Sequence, residues 1–240
     1  MKSNTHLSKA QVHEVLSSEA HADITVSGKE FLSNLNLDKY NNTSKSKKRA
    51  NWRAIKNWLG KYRPLSESSN LERIRGYLEA FHHLCEIEAW EESRSLLDLP
   101  LSSPLHETLV QHLHTWNYYQ QEITLYTRLL DHCDSITSSF YMNQLGFIYM
   151  ILGQEERALT FFKRSLITSQ REGSVQWQGL PLIGIGLIHS DSADLNKTIS
   201  TLDKSLVLAQ STKNLTMEAL ILGVIGVTYL GIQNQDRANE

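Results

Sequence analysis

The sequence predicts an all-α chain made of stacked helical hairpins, and three observations carry that prediction. Past residue 63, segment after segment places apolar residues at three- and four-residue spacing, the period of a helix with one buried face. No period-two run enriched in β-branched residues occurs beyond residue 30. Finally, Leu145-Gly146, Ile185-Gly186 and Ile225-Gly226 recur at a spacing of forty residues. The chain has 240 residues, 40% of them hydrophobic and 21% charged, a composition that folds and can bury a sizeable core.

From the N-terminus, residues 1–38 read as a small helical region. Ser8 and Gln11 form one capping box, and Ser27 with Glu30 form a second ahead of Phe31, Leu32 and Leu35. Ile24-Thr25-Val26 is a weak strand candidate between them. Residues 39–51 are polar, basic and without an apolar period, the pattern of a linker. Nine basic residues and no acidic one lie between Lys39 and Arg63, so the rest of the chain carries about −11 against a total of −2.

Residues 52–240 hold the hairpins. Ser69 and Glu72 open a helix running through Tyr77, Leu78, Phe81, Leu84 and Ile87. A break at Glu88-Ala89 leads to a helix with Trp90, Leu96 and Leu97. Ser103-Pro104 is expected to start the helix of Leu109, Val110 and Leu113, because proline at the first helical position loses no hydrogen bond. Its antiparallel partner carries Ile123, Tyr126, Leu129 and Leu130.

Around the three glycines the register holds over the next hairpins. Tyr149, His189 and Tyr229 follow by three residues, Ala158, Thr198 and Ala238 by twelve, and Phe162 aligns with Leu202. A glycine at a helix crossing lets two backbones approach, and the small residue does the same from the other helix. Each hairpin leaves an apolar stripe that only a neighbour can cover, so the core runs on through the stack.

At these residues the chain resembles the tetratricopeptide repeat family: Leu145-Gly146-x-x-Tyr149, Gly153, Ala158 and Phe162, with the same frame in the next units. Gly76 to Leu84 and Trp116-Asn117-Tyr118-Tyr119 are similar to the forty-residue repeat arrays of cyanobacterial proteins. The resemblance implies a right-handed superhelix of about five hairpins, a scaffold that binds proteins or peptides and needs no cofactor. It also implies a concave lining. Phe140, Asn143, Phe147, Met150, Ile183, Leu187 and Val227 fall on it, with His82, Glu86, Gln111 and His114 upstream, beside Arg75, Cys85 and Glu107. Phe147 and Leu187 stand where carboxylate-clamping members need asparagine, so an apolar or amphipathic peptide fits better. Thr198 and His189 depart from the family pattern, as does the lack of a closing proline near Gln170 and Gln210.

The last repeat is expected to be incomplete, stopping a few residues into its second helix. That leaves Leu220, Ile221, Val224 and Ile225 without a hairpin partner, as in a fragment of a longer protein or a surface for self-association. Two other functions stay open. Similar arrays sit behind a nucleotide-binding switch domain, which implies a sensor or scaffold part of a signalling protein. Alternatively Lys45, Lys47, Lys48, Arg49 and Arg53, interleaved with Trp52, Trp58 and Tyr62, form a nucleic-acid-binding segment.

Enzymatic chemistry is not expected. No phosphate-binding Gly-x-x-x-x-Gly-Lys or nucleophile elbow occurs, and His82, Cys85 and His114 give at most a partial zinc shell, so no metal is assigned. Two cysteines, Cys85 and Cys133, form no disulfide framework, and no apolar leader or membrane span is legible, which points to the cytoplasm.

Overall fold

The computed structural model describes the backbone of residues 25–35, 46–65, 67–102, 106–191 and 195–239, and their side chains except at 25, 191, 195–196 and 231–239. These residues form eleven α-helices and no strand; one isolated bridge joins Pro100 and Thr108. No helix among them is long and apolar enough to cross a membrane. Contacts divide the chain into two compact units, Met1–Glu122 and Ile123–Glu240, so the division falls inside the segment 52–240 that the repeat pattern treats as continuous.

The first unit holds α1 (Thr25–Asn34), α2 (Ser46–Gly60), α3 (Asn70–Glu86), α4 (Trp90–Leu97), α5 (Leu109–Thr115) and the start of α6 (Tyr119–Leu129). Each of α1 to α4 packs on the next. Trp52, Ile55 and Leu59 of α2 are buried at spacings of three and four, and the core continues through Ile74, Tyr77, Phe81 and Leu84 of α3. Gly76 lets α2 and α3 close up, since a Cβ there would lie 2.9 Å from the Trp58 carbonyl oxygen.

Four expectations fail in this unit. Thr25 and Val26 are helical rather than extended, and Ser27 sits inside α1 instead of capping it. Tertiary contacts override the local preference: the Tyr77 hydroxyl accepts from the Gly28 N–H at 2.9 Å, and Ser27 Oγ pairs with Ser102 Oγ at 2.8 Å. The basic stretch 46–51 is the first half of α2 and not a linker. Lys47 meets Glu86 at 3.1 Å and Lys48 meets Glu88 at 3.5 Å, while Lys48 also donates to the Ile87 carbonyl at the end of α3. Positive charge at a helix C-terminus is favourable there. Ser103-Pro104 lies outside the described residues, but the helix it was to begin starts at Leu109, with a capping box between Thr108 and Gln111. The Ser69 cap is present, its Oγ accepting from the Glu72 N–H at 3.3 Å.

The second unit holds the rest of α6, a 3-10 turn at Leu130–His132, α7 (Ser135–Ile151), α8 (Glu155–Arg171), α9 (Val175–Asp191), α10 (Leu195–Ser211) and α11 (Leu215–Asn239). From α7 to α11 each helix packs on its successor, and α9 also touches both α7 and α11. Phe162 of α8 is fully buried between two glycines: a Cβ on Gly146 of α7 would lie 2.5 Å from its ring, and one on Gly184 of α9 2.3 Å. Forty residues on, a Cβ on Gly186 of α9 would lie 2.7 Å from Leu202 of α10. Burying a phenyl ring this fully contributes about 2–3 kcal/mol.

Hydrogen bonds repeat with the same period. Ser165 Oγ donates to the Ser139 carbonyl at 2.8 Å, and Ser205 Oγ to the Gly179 carbonyl at 3.0 Å. The turns after α8 and α10 match as well: Ser174 N–H reaches the Ser169 carbonyl and Asn214 N–H the Ala209 carbonyl, each at 2.9 Å. Between them the chain passes through left-handed residues, Gly173 (φ 66°) and Lys213 (φ 54°), the closure that satisfies the last carbonyls of a helix. The expected turn in the last repeat is absent. α11 runs unbroken to Asn239, past the positions where α7 and α9 end.

Candidate functional site

Helices α9 and α11 of the second unit enclose a groove of about 490 Å³, lined by Leu187, Ser190, Ala219, Leu220, Gly223, Val224, Val227 and Thr228. On α11, residues 219, 223 and 227 stand at four-residue spacing, with 220 and 224 beside them, so one helical stripe forms this wall. Gly223 and Ala219 hollow it, while Leu220 (49% exposed) and Val227 (71% exposed) stand at its edge. Its polar groups are already engaged: Ser190 Oγ and Thr228 Oγ1 lie 3.2 Å apart, and Thr228 also donates to the Val224 carbonyl at 2.9 Å. The described lining of the groove is therefore apolar apart from these two hydroxyls.

No protein-family model matches the chain, and no curated protein does so either.

Of the seven lining residues expected in this unit, Leu187 and Val227 line the groove. Asn143 and Ile183 do not face solvent. Asn143 is 3% exposed with its Oδ1 lacking a hydrogen-bond partner, and Ile183 belongs to the cluster of Leu202, Met217 and Ile221. Phe147 packs edge-on against Phe162 with centroids 4.9 Å apart, and Met150 is half-buried against the separate cluster of Ala158, Phe162, Ile185 and Ile188. Phe140 is half-buried, its ring edge-on to Trp177 at 5.7 Å. These five positions are drawn in among neighbouring helices, which approach closely at Gly146, Gly184 and Gly186. Ser190, Ala219, Gly223 and Thr228 were missed. Their signal is a run of small residues on the open side of an apolar helix.

The upstream residues lie in the first unit, several of them engaged with neighbours there. Gln111 is consumed by its capping box, its Oε1 accepting from the Thr108 N–H at 2.8 Å. Glu86 is held by Lys47, and Arg75 bridges Glu72 and Glu79 at 3.3 and 3.6 Å. His82 is exposed with its ring edge against His83, whereas Cys85 is 3% exposed and turned toward Ser93. Among the described residues no three His, Cys, Asp or Glu side chains are placed to share a metal ion.

Two carboxylate–histidine contacts flank α5. Glu107 lies 3.2 Å from His112, which is almost fully buried, and burial pushes that imidazole below its usual pKa. Glu122 lies 3.3 Å from His114 Nδ1, and burial lifts its carboxyl to about 8. Desolvation outweighs the attraction of a half-exposed histidine, so Glu122 keeps its proton near neutrality.

Lys45 lies outside the described residues. Arg49 and Arg53 are exposed on α2, but Lys47 and Lys48 are tied to Glu86 and Glu88. Trp52 is 3% exposed, and Trp58 packs against Tyr62 (5.2 Å) under the Arg75 guanidinium (5.6 Å). The aromatic rings on which bases would stack are thus occupied within the fold.

Proposed function

We propose that the chain is a protein–protein interaction module. In this reading the hairpins of the second unit wind as a right-handed, tetratricopeptide-like array. The groove between α9 and α11 receives an apolar or amphipathic peptide segment, and the chain carries out no chemistry of its own. The apolar groove beside Leu187 and Val227 carries the proposal, because its walls are helical, its few polar groups are satisfied internally and its edge residues are open to solvent. The forty-residue recurrence of close crossings supports the array.

The test uses Val227→Asp. A carboxylate at a 71% exposed position costs the fold about 0.5 kcal/mol or less, yet puts a charge at the groove edge. Affinity capture with the wild-type chain and with Val227→Asp, read by mass spectrometry, should retain a partner on the former and lose it on the latter. Equal retention of every partner by both chains refutes the groove.

A further inference from the structure

Helix α2 carries basic side chains on two flanks, and only one of them is neutralised. Lys47 and Lys48 reach the end of α3, where they meet Glu86 at 3.1 Å and Glu88 at 3.5 Å, and on the same flank Asn51 Oδ1 lies 2.8 Å from His83 Nδ1. Arg49, Arg53 and Lys56 follow one another at spacings of four and three on the other flank. Arg49 and Arg53 are exposed, and Lys56 holds its ammonium over the Trp52 ring, 5.6 Å from the centroid. Among the described residues no carboxylate lies within ion-pair distance of these three. The sequence holds no acid between Lys39 and Arg63. Helix α1, which approaches Gly60 through Leu32, carries one, Glu30, and this lines a separate hollow with Leu99, Ser102 and His106.

We propose that the stripe of Arg49, Arg53 and Lys56 binds the phosphate backbone of a double-stranded nucleic acid without reading its bases. Other polyanions ask for features that α2 lacks. A helix lying on a membrane buries its apolar face in lipid, but Trp52, Ile55 and Leu59 are already buried in the protein. A protein interface is centred on apolar or aromatic anchors, whereas the exposed residues of α2 are Ser46, Lys47, Arg49, Ala50, Arg53 and Asn57. A single strand stacks its bases on open rings; here Trp52 is buried, and Trp58 is engaged by Tyr62 and the Arg75 guanidinium. A duplex keeps its bases paired and presents a dense row of phosphates, which cations on a rigid element suffice to hold. Arg49 and Lys56 stand about 10 Å apart along the helix, so the three side chains face a run of phosphates. The stripe keeps Arg49 and Arg53 of the basic segment legible in the sequence, drops Lys47 and Lys48, and adds Lys56. It lies in the first unit and the groove of Leu187 and Val227 in the second, so either can fail without the other.

The probe is a fluorescein-labelled DNA duplex of about 20 base pairs and arbitrary sequence, titrated with the full chain by fluorescence anisotropy. Three phosphate contacts give a slope of about −2.7 in log affinity against log salt, roughly a fortyfold loss between about 50 and 200 mM salt. The double variant Arg49→Gln/Arg53→Gln should bind at least about tenfold more weakly at the lower salt, with its slope cut to about −0.9. Both positions are exposed, so circular dichroism should show the variant folded; Arg53→Gln alone should cut the slope by about 0.9. Lys47→Gln, on the opposite flank and already paired with Glu86, should change neither affinity nor slope. An RNA duplex of the same length separates the two sources of such a backbone, and saturable binding of either duplex that the double variant weakens supports the proposal. Failure of both duplexes to saturate, or equal binding by the double variant, overturns it. So does tighter binding of a single strand of the same length, of polyglutamate or of phosphatidylserine vesicles than of either duplex.

Discussion

Replacing Gly146 by alanine separates an occupied helix crossing from an open one. The new methyl carbon would start 2.5 Å from Phe162 Cε1, 2.6 Å from Cδ1 and 2.9 Å from Cζ. The ring cannot swing aside, because Gly184 confines it from α9. Overpacking of this kind costs about 1–3 kcal/mol, partly offset by the roughly 1 kcal/mol that alanine gains over glycine inside a helix. Gly226→Ala meets no neighbour and should show the propensity gain alone, a stabilisation of about 1 kcal/mol. The two variants should thus differ by about 2 kcal/mol, or about 1 M in urea midpoint at a slope near 2 kcal/mol/M. The assay is urea unfolding followed by hydrogen exchange in α8 and α11. Adding Phe162→Leu to Gly146→Ala should restore part of the loss, because Leu202 fills the equivalent place in the next hairpin. Equal midpoints for Gly146→Ala and Gly226→Ala would refute the equivalence of the crossings.

Two further outcomes follow from buried charge and backbone strain. Glu122 has its folded pKa raised to about 8, so the unfolded chain loses this proton first and stability falls as pH rises from the ordinary carboxylate range toward 8, by up to about 1.4 kcal/mol per pH unit. Glu122→Gln should therefore match the wild type in thermal stability near pH 4 and exceed it increasingly up to pH 8; a pH-independent difference contradicts this. Lys213 holds a left-handed conformation where the preceding turn has Gly173, so Lys213→Gly should stabilise the chain by about 1 kcal/mol in urea unfolding, and a loss would show that its side chain matters more than its backbone.

The features legible in the sequence were those with a fixed period or a local partner. The glycine–large-residue spacing located the crossings at Gly146 and Gly186, and Ser69 with its downstream N–H located the start of α3. Features set by distant residues were not legible. Ser27 looks like a cap until Ser102 takes its hydroxyl, and the lysines of residues 47–48 look like a linker until Glu86 and Glu88 meet them. Asn143 and Ile183 fall on the lining by register alone, but the depth of the helix crossings buries both. The last turn was expected from the period, yet α11 has neither a left-handed residue nor a covering helix there, and it runs on. The candidate groove was half-visible: Leu187 and Val227 were named, and the small residues between them were not.

Thiol labelling at three equivalent positions measures this arrangement most directly. Met142→Cys, Leu182→Cys and Leu222→Cys, each made with Cys85 and Cys133 replaced by serine, report on the same face of α7, α9 and α11. A thiol at 222 should react at close to the rate of a free peptide, and those at 142 and 182 at least about a hundredfold more slowly, through local opening. Similar rates at all three positions would contradict it.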